Sequence, residues 1–275
     1  MGQAKNDNYI DNLHAAELEI MDAIASVCDK LNLKYVIFAG SLLGAIRHQG
    51  FIPWDDDIDI IMPREDYDVF VREAQNHMDG KFVVQHYSTE PKTNALWTKV
   101  RNKNTVFVED ENQDYDICHG IFVDIFPFDK IKSGKRNYKI EFRKRNRFNK
   151  ICGCYSRYYI DSIVNPCKRA IAKIIKKCIC DKKPIGALIA QEDMRREKLN
   201  KVGDDCYPIH FFEDRGTLTY DQLFDSVDMK FEDRVYKGPK NYDLCLKKMY
   251  GEDYMQLPPE EKRITHKPLR VVFEE

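Results

Sequence analysis

The sequence predicts an α+β fold, in which a mixed sheet is flanked by helices and carries a basic helical insertion. Three observations predict it. Apolar residues recur at helical spacing over residues 8–31. Short apolar runs at 35–38, 82–87 and 119–129 have the length and composition of strands. Between residues 130 and 183, Lys and Arg accompany apolar residues that again recur at helical spacing.

Composition sets the class of protein. The chain has 275 residues, 43% of them hydrophobic, which is enough for one large domain or a core with additions. No window has the eighteen or more apolar residues that would span a bilayer, and the first residues lack a hydrophobic signal core. We therefore expect a soluble protein that is cytoplasmic, or peripheral at the inner face of the membrane.

The nine cysteines are an odd number in a chain of this length, so we expect reduced thiols rather than a disulfide framework. The pairs Cys152/Cys154 and Cys178/Cys180 are spaced C-x-C rather than C-x-x-C. Structural zinc at these pairs is the less favoured alternative.

One stretch concentrates the chemistry, residues 38–62, which read FAGSLLGAIRHQGFIPWDDDIDIIM. Its first half predicts a strand that ends in a turn at Gly40 and Ser41 and continues into a short helix. Free backbone N–H groups at such a helix start can hold a phosphate. Gly40 and Ser41 are therefore candidate phosphate-binding residues, although an ordinary turn and helix cap is the alternative.

The second half of the stretch predicts carboxylates on a strand. Asp57 and Asp59 share one strand face because side chains alternate along a strand. By the same alternation Asp55 lies on that face, whereas Asp56 should point away from it. Close carboxylates repel by about 4 kcal/mol per pair at an effective dielectric near 20. A bound Mg²⁺ or Mn²⁺ would relieve this repulsion, although a solvated strand end is the alternative.

Residues 40–64, GSLLGAIRHQGFIPWDDDIDIIMPR, resemble almost residue for residue the central motif of the LicD family. Relatives of that family include the fukutin-type sugar-phosphate transferases. The resemblance implies a nucleotidyltransferase-type fold. It also implies transfer of a phosphorylated alcohol such as phosphocholine from a CDP-linked donor to a glycan hydroxyl, with release of CMP.

The run HGIFVDIFPFD, residues 119–129, supplies a further acid. Asp124 lies among apolar residues in what should be a central strand, where a lone carboxylate needs a partner or a metal. By resemblance it is the last carboxylate of the family's triad, which completes the metal site and accepts the acceptor's proton. We therefore predict Asp57, Asp59 and Asp124 as catalytic and, together with Asp55, as metal ligands.

Further site residues are predicted around these acids. Residues 95–110 are expected to form a hairpin whose first strand places Lys99 and Arg101 on one face. Such cations, with Arg47, can stabilise donor phosphates. The predicted substrate contacts are His48, Trp54 and, by resemblance of the closing run, Arg263 and His266. The aromatics available to surround choline are Trp54, Trp97, Tyr87 and Phe126.

The charge distribution divides the chain into three segments. Residues 130–183 contain eighteen Lys and Arg against three acids, a net charge of +15 in a chain of net charge −1. We predict a catalytic core at 1–130, a basic helical insertion at 131–202 and a segment at 203–275 that completes the core. The insertion is expected either to contact an anionic membrane or to remain solvated. Nucleic acid is the less favoured partner.

Two other functions remain open. The same fold would also suit a true nucleotidyltransferase that attaches NMP from an NTP to a small molecule or a protein. The chain could instead be a non-catalytic glycan-binding protein. Within the first interpretation, ethanolamine, glycerol and ribitol phosphates are alternatives to phosphocholine, and the acceptor could belong to lipopolysaccharide, teichoic acid or capsule.

Overall fold

The central feature of the fold is a five-stranded mixed sheet. The computed structural model describes residues 7–110, 112–208, 216–263 and 268–274. Within them the strands are β1 (Val36–Ile37), β2 (Asp59–Pro63), β3 (Phe82–Gln85), β4 (Thr98–Asn102), β5 (Val106–Val108), β6 (Ile121–Phe128), β7 (Tyr207–Pro208), β8 (Thr217–Leu218), β9 (Ser226–Phe231), β10 (Arg234–Pro239) and β11 (Arg270–Val272). The central sheet follows the order β1-β2-β6-β4-β3, with β2 and β6 parallel and the other neighbours antiparallel.

Helices flank this sheet, which confirms the predicted α+β architecture. They are α1 (Asp7–Leu31), α2 (Ala39–Arg47), α3 (Arg64–Glu73), α4 (Lys135–Gly153), α5 (Arg157–Ser162), α6 (Pro166–Ile175), α7 (Ile185–Val202), α8 (Tyr220–Phe224) and α9 (Tyr242–Tyr250). Short 3-10 segments lie at Ala74–His77 and Glu260–Lys262, and a π-helical turn lies at Lys176–Cys180. α1 lies against β4 and β6, and its Leu13, Ile20 and Ile24 are fully buried, as its periodicity predicts.

The strand predicted at 119–129 is central, as expected. β6 lies between β2 and β4, and all eight of its residues are buried. Such burial requires apolar side chains on both faces, which the run IFVDIFPF supplies everywhere except at Asp124. The central sheet therefore holds one carboxylate in the middle of its most buried strand.

The predicted hairpin over 95–110 is wrong. Its two strands exist as β4 and β5, but β4 pairs with β3 on one side and β6 on the other, so no edge of β4 remains for β5. β5 instead pairs with β11 near the C-terminus. The chain turns sharply after β4, where the Thr105 hydroxyl donates to the carbonyl of Asn102 at 2.7 Å.

The C-terminal part adds smaller elements to the sheet. β9 and β10 form an antiparallel hairpin whose chain reversal includes Glu232 in the left-handed region, at φ 56°. α2 and β1 both contact this hairpin unit, which brings it next to the acidic stretch. Residues 216–263 therefore pack on the elements that present the predicted site.

The basic segment is helical, as its periodicity predicts, and consists of α4 to α7 with the π-helical turn. All nine cysteines are free thiols. Among the described residues, no helix combines the length and the apolar character that crossing a membrane requires. The division into segments at residues 130 and 202 stays a prediction.

Gly44 in α2 allows the backbone of Gly50 and Ile52 to approach the helix closely, and we expect alanine at this position to disrupt that contact. A Cβ on Gly44 would lie 2.3 Å from the carbonyl oxygen of Gly50 and 3.2 Å from the amide nitrogen of Ile52. We expect Gly44→Ala to lower the free energy of unfolding by about 1–3 kcal/mol, although alanine favours helices, because this backbone has to move. Urea denaturation measures the change.

Gly80→Ala is the matched control, because no atom lies within 4 Å of the position that its new methyl group would take, and its backbone is not left-handed. We expect its free energy of unfolding to stay the same or rise by up to about 1 kcal/mol. Equal effects of the two substitutions would contradict the packing argument.

Candidate active site

The candidate site is built on two carboxylates from neighbouring parallel strands. Asp59 on β2 and Asp124 on β6 are register partners, so their side chains leave the same face of the sheet. The backbone holds this register closely, since the amide of Asp124 donates to the carbonyl of Ile58 at 3.0 Å. The structure thus brings together two of the three acids predicted to be catalytic.

Asp124 is fixed by two donors, Trp97 just before β4 and Lys99 on β4. The indole Nε1 of Trp97 donates to its Oδ1 at 2.7 Å, and the ammonium of Lys99 lies 3.1 Å from Oδ1 and 3.2 Å from Oδ2. Lys99 also lies 3.3 Å from the ring centre of Phe122. Burial raises the pKa of Asp124, while the positive charge of Lys99 opposes the rise. The result is a carboxylate that is buried, oriented and paired with one cation.

The other predicted acids precede the strand rather than lie on it. β2 begins at Asp59, so the expected strand face shared by Asp55, Asp57 and Asp59 is not formed by regular alternation. The acids are nevertheless close enough to influence each other electrostatically. The pKa of Asp59 is raised well above its ordinary value by burial, and next by the charges of Asp57, Asp124 and Asp55. Asp56, expected to point away, is itself buried.

The Gly40–Ser41 corner positions these acids. The hydroxyl of Ser41 accepts a hydrogen bond from the amide of Asp59 at 2.8 Å, and the amide of Phe38 donates to the carbonyl of Asp59 at 2.9 Å. A Cβ on Gly40 would lie 2.4 Å from a carboxylate oxygen of Asp55, so a larger residue there would force the Asp55 side chain to move. The corner therefore contacts the acidic stretch directly, with the side chain of Ser41 engaged at the start of β2.

Of the three predicted phosphate-binding cations, Lys99 contacts the acids and the other two contact different groups. Lys99 and Arg101 share a face, as predicted. The carboxylate of Glu109 lies 3.8 Å from the ammonium of Lys99 and 3.5 Å from the guanidinium of Arg101. Arg101 is fully buried and donates to Gln85 and to the carbonyl of Gly120, both at 2.7 Å. The geometry of Arg101 is that of a residue anchoring the sheet.

Arg47 lies at the end of α2, beside the predicted substrate residues. Its guanidinium donates to the His48 ring at 2.9 Å and to the carbonyls of Tyr254 and Gln256 at 3.1 Å and 3.3 Å. Burial lowers the pKa of Arg47, and the charges of Tyr250 and Asp55 oppose that change. Arg47 therefore links the central motif to the C-terminal part of the chain.

Three predicted substrate residues come together around one indole. The ring centres of His48 and Trp54 are 6.3 Å apart in an edge-to-face arrangement. The guanidinium of Arg263 lies 4.6 Å from the centre of the Trp54 ring. His266, the fourth predicted contact, lies outside the described residues.

Sequence reasoning missed Glu17 of α1. Its side chain is buried, and its Oε2 has no hydrogen-bond partner within the described residues. The pKa of Glu17 is raised well above its ordinary value by burial, and next by the charges of residues 55–57 and Asp124. The sequence did contain a signal, because Glu17 interrupts the apolar face of α1 between Leu13 and Ile20.

The donor set suits a divalent cation chemically. Carboxylate oxygens are the ligands that Mg²⁺ and Mn²⁺ prefer, and burial, followed by the charges of neighbouring acids, raises the pKa values of Asp59 and Glu17. Within the described residues, no three Asp, Glu, His or Cys side chains converge as a complete metal centre. The pair in place is Asp59 and Asp124, with Asp55 and Asp57 on the preceding segment.

Comparison with known proteins identifies the domain that contains this site. Residues 32–152 match the family model described as LicD/FKTN/FKRP, nucleotidyltransferase domain. The chain is 26% identical over 268 residues to the lipopolysaccharide cholinephosphotransferase LicD of Haemophilus influenzae. The matched region covers 90% of this chain and 92% of that protein. It is also 50% identical over 48 residues to uncharacterized proteins of Rickettsia prowazekii and Rickettsia typhi, covering 18% of this chain.

The matched region contains the Gly40–Ser41 corner, the acidic stretch, Lys99 and Asp124, so it includes the whole arrangement built on β2 and β6. The resemblance that the central motif indicates is thereby confirmed. Residues 32–152 are therefore a LicD-family domain, and the chain as a whole is similar to a LicD protein.

Proposed function

We propose that the protein is a phosphotransferase that moves a phosphorylated alcohol, phosphocholine first among the candidates, from a CDP-linked donor to a hydroxyl of a lipopolysaccharide glycan. The observation that carries the proposal is the register pair of Asp59 and Asp124, oriented by Trp97 and Lys99 inside the LicD-family domain. The relative from Haemophilus, named a lipopolysaccharide cholinephosphotransferase, supports the substrate class.

The proposed reaction is a displacement at the phosphorus that carries the alcohol. The acceptor hydroxyl oxygen forms a new bond to that phosphorus, the bond between phosphorus and the bridging oxygen breaks, and CMP leaves with the electron pair. Asp124 accepts the proton of the hydroxyl, since Trp97 holds its carboxylate in one orientation and burial raises its pKa. Lys99 offers positive charge to the transferred group from its place beside Asp124.

A divalent cation, Mg²⁺ or Mn²⁺, belongs to the proposal. Asp55, Asp57, Asp59 and Asp124 would hold it, and when bound it would neutralise charge on the pyrophosphate of the donor. Burial, and next the negative charges of neighbouring acids, raise the pKa of Asp59 and of Glu17 well above their ordinary values, and this crowding of carboxylates supports the assignment. The Gly40–Ser41 corner borders the same acids and is the proposed contact for a phosphate oxygen.

The quaternary ammonium of choline would need aromatic faces. Trp97 and Phe126 form a tilted pair 5.1 Å apart, and Trp97 touches Asp124 directly. Trp54 is the poorer candidate, because the guanidinium of Arg263 already lies against its ring. We therefore place the alcohol beside Trp97 and Phe126.

The proposal is tested by measuring the two reaction products, CMP and the modified glycan. The chain is incubated with CDP-choline, Mg²⁺ and a lipopolysaccharide oligosaccharide that lacks phosphocholine, and CMP and the mass of the glycan are measured. We expect CMP release matched by a gain of one phosphocholine per CMP, lost on adding EDTA and restored by excess Mg²⁺. CDP-ethanolamine, CDP-glycerol and CDP-ribitol, and teichoic acid or capsule glycans, tested in parallel, identify the preferred donor and acceptor.

The description of the matched domain as a nucleotidyltransferase favours one second candidate, the transfer of NMP from an NTP. Release of pyrophosphate from CTP or ATP, with no CMP from any CDP-alcohol, would establish that function instead. Magnesium-dependent binding of CDP-choline without turnover over any acceptor would indicate a non-catalytic glycan-binding protein. We place the protein in the cytoplasm or at the inner face of the membrane, because nine free thiols suit a reducing compartment.

A further inference from the structure

An exposed apolar stripe runs along α6, outside the matched domain. Cys167, Ile171 and Ile174 are spaced four and three residues apart, which places them on one helix face, and all three are exposed. Ile171 and Ile174 are 57% and 61% exposed, and Val164, just before the helix, is 91% exposed. The opposite face packs inward through Ala172, which is buried.

Lysines border the stripe on both sides. By their positions around the helix, Lys168 lies on one side and Lys173 on the other; Lys177 follows Lys173 in the adjoining π-helical turn, and all three are exposed. Within the part of the chain that the structure describes, none of these lysines has an acidic partner, whereas Lys237 and Lys247 elsewhere on the surface do. We call Val164, Ile171, Ile174 and the three lysines the α6 surface.

A basic groove adjoins the α6 surface. It has a volume of about 470 Å³ and lies between α4 and the C-terminal end of α6. Exposed cations and half-buried isoleucines line it together with Asn146, namely Arg143, Arg147, Lys150, Ile151, Ile175 and Ile179. Because Ile175 follows Ile174 directly in the chain, the stripe and the groove share one helix.

We propose that the α6 surface docks the protein on an anionic phospholipid bilayer. α6 lies in the plane of the interface, with Val164, Ile171 and Ile174 among the headgroups and upper acyl chains and the lysines at the level of the phosphates. The groove receives one lipid phosphate at its exposed cations, with apolar chain atoms against its half-buried isoleucines. Charge complementarity selects this partner, because residues 130–183 carry a net charge of +15 while the rest of the chain is acidic.

Nucleic acid would satisfy the cations but would leave the isoleucine stripe exposed, because phosphates offer no apolar surface. A bilayer satisfies both features at once. The α6 surface also lies beyond residue 152, outside the part of the chain that the family model matches.

Vesicle co-sedimentation of the full chain tests the proposal. Vesicles of phosphatidylcholine alone are compared with vesicles containing about 30% phosphatidylglycerol, at roughly 150 mM salt. We expect binding to the anionic vesicles only. Ile171→Ser/Ile174→Ser should lower the partition coefficient at least tenfold. Lys168→Glu/Lys173→Glu/Lys177→Glu should lower it by about a hundredfold or more, since each surface lysine contributes a factor of about five.

Matched controls separate this surface from general effects of charge and polarity. Val202 and Val235 are each 61% exposed but belong to no stripe, so Val202→Ser/Val235→Ser should bind as the unaltered chain does. Lys198→Glu/Lys201→Glu/Lys240→Glu makes the same change of charge at exposed sites away from α6 and should bind far better than the α6 triple variant.

Equal binding to both vesicle types, no binding to either, or equal losses in test and control variants would overturn the proposal. The proposal would also be overturned if the chain bound duplex RNA more tightly than vesicles and if Ile171→Ser/Ile174→Ser left the RNA binding unchanged. Turnover of a water-soluble oligosaccharide acceptor is measured on the same variants and should be unchanged. Vesicle binding by a chain that lacks transferase activity would support the docking surface while contradicting the proposed function.

Discussion

Asp59→Asn is expected to reduce phosphocholine transfer by about 10²–10⁴-fold without destabilising the protein. Asp59 is the register partner of Asp124, and the charges of Asp57, Asp124 and Asp55 raise its pKa on top of the effect of burial. We therefore expect the negative charge of Asp59 to serve the site while it lowers the stability of the fold. In metal-free buffer we expect the melting temperature of the variant to equal or exceed that of the unaltered chain, whereas activity is lost.

The opposite directions of these two effects make the experiment decisive. Asp29→Asn removes one carboxylate from an exposed position of α1 and should keep full activity and stability. Mg²⁺ should raise the melting temperatures of the unaltered chain and of Asp29→Asn. The rise should be much smaller for Asp59→Asn. Retention of more than a third of the activity by Asp59→Asn would show that the paired carboxylates are structural.

The elements of the site that local pattern controls could be predicted from sequence. The helical periodicity of residues 8–31 and the continuous apolar run around Asp124 each indicated an element of the correct type, because burial alone determines such patterns. Lys99 and Arg101 share a face because alternation is a local property of β4. Arg263 was predicted only by resemblance, and the structure brings it together with His48 and Trp54.

Features that depend on distant pairing could not be predicted in this way. The strand β5 has a normal local sequence, yet its partner β11 lies more than 160 residues further along the chain. The place where β2 begins depends on Ser41, whose hydroxyl accepts from the amide of Asp59, so alternation alone could not show that Asp57 precedes the strand. Trp97 was predicted only as an aromatic residue available to surround choline, and its indole N–H contact with Asp124 arises only when β4 and β6 pair.

Arg64→Met is expected to lower the free energy of unfolding by about 3–5 kcal/mol, the largest stability effect that we predict. Arg64 is the first residue of α3 and is buried, with two bonds to Asp129 at 2.6 Å and 2.9 Å. It also contacts Asp68 at 3.1 Å and Asp193 at 3.0 Å. A cation at a helix N-terminus is unfavourable by itself, so these carboxylates account for its place and raise its pKa. Methionine would leave Asp129 buried without its cation.

Arg72→Met is the matched control, because Arg72 lies on the same helix and pairs with Glu73 at 2.9 Å, but its side chain is 64% exposed. Its free energy of unfolding should change by less than about 0.5 kcal/mol. Arg64→Met/Asp129→Asn should recover part of the loss, because the unpaired buried charge is the main source of the destabilisation. Because Asp193 lies in α7, the bond from Arg64 also joins the basic helices to the C-terminal end of β2. If Arg64→Met cost no more than Arg72→Met in guanidinium denaturation, that bond would have no role in holding the helices on the core.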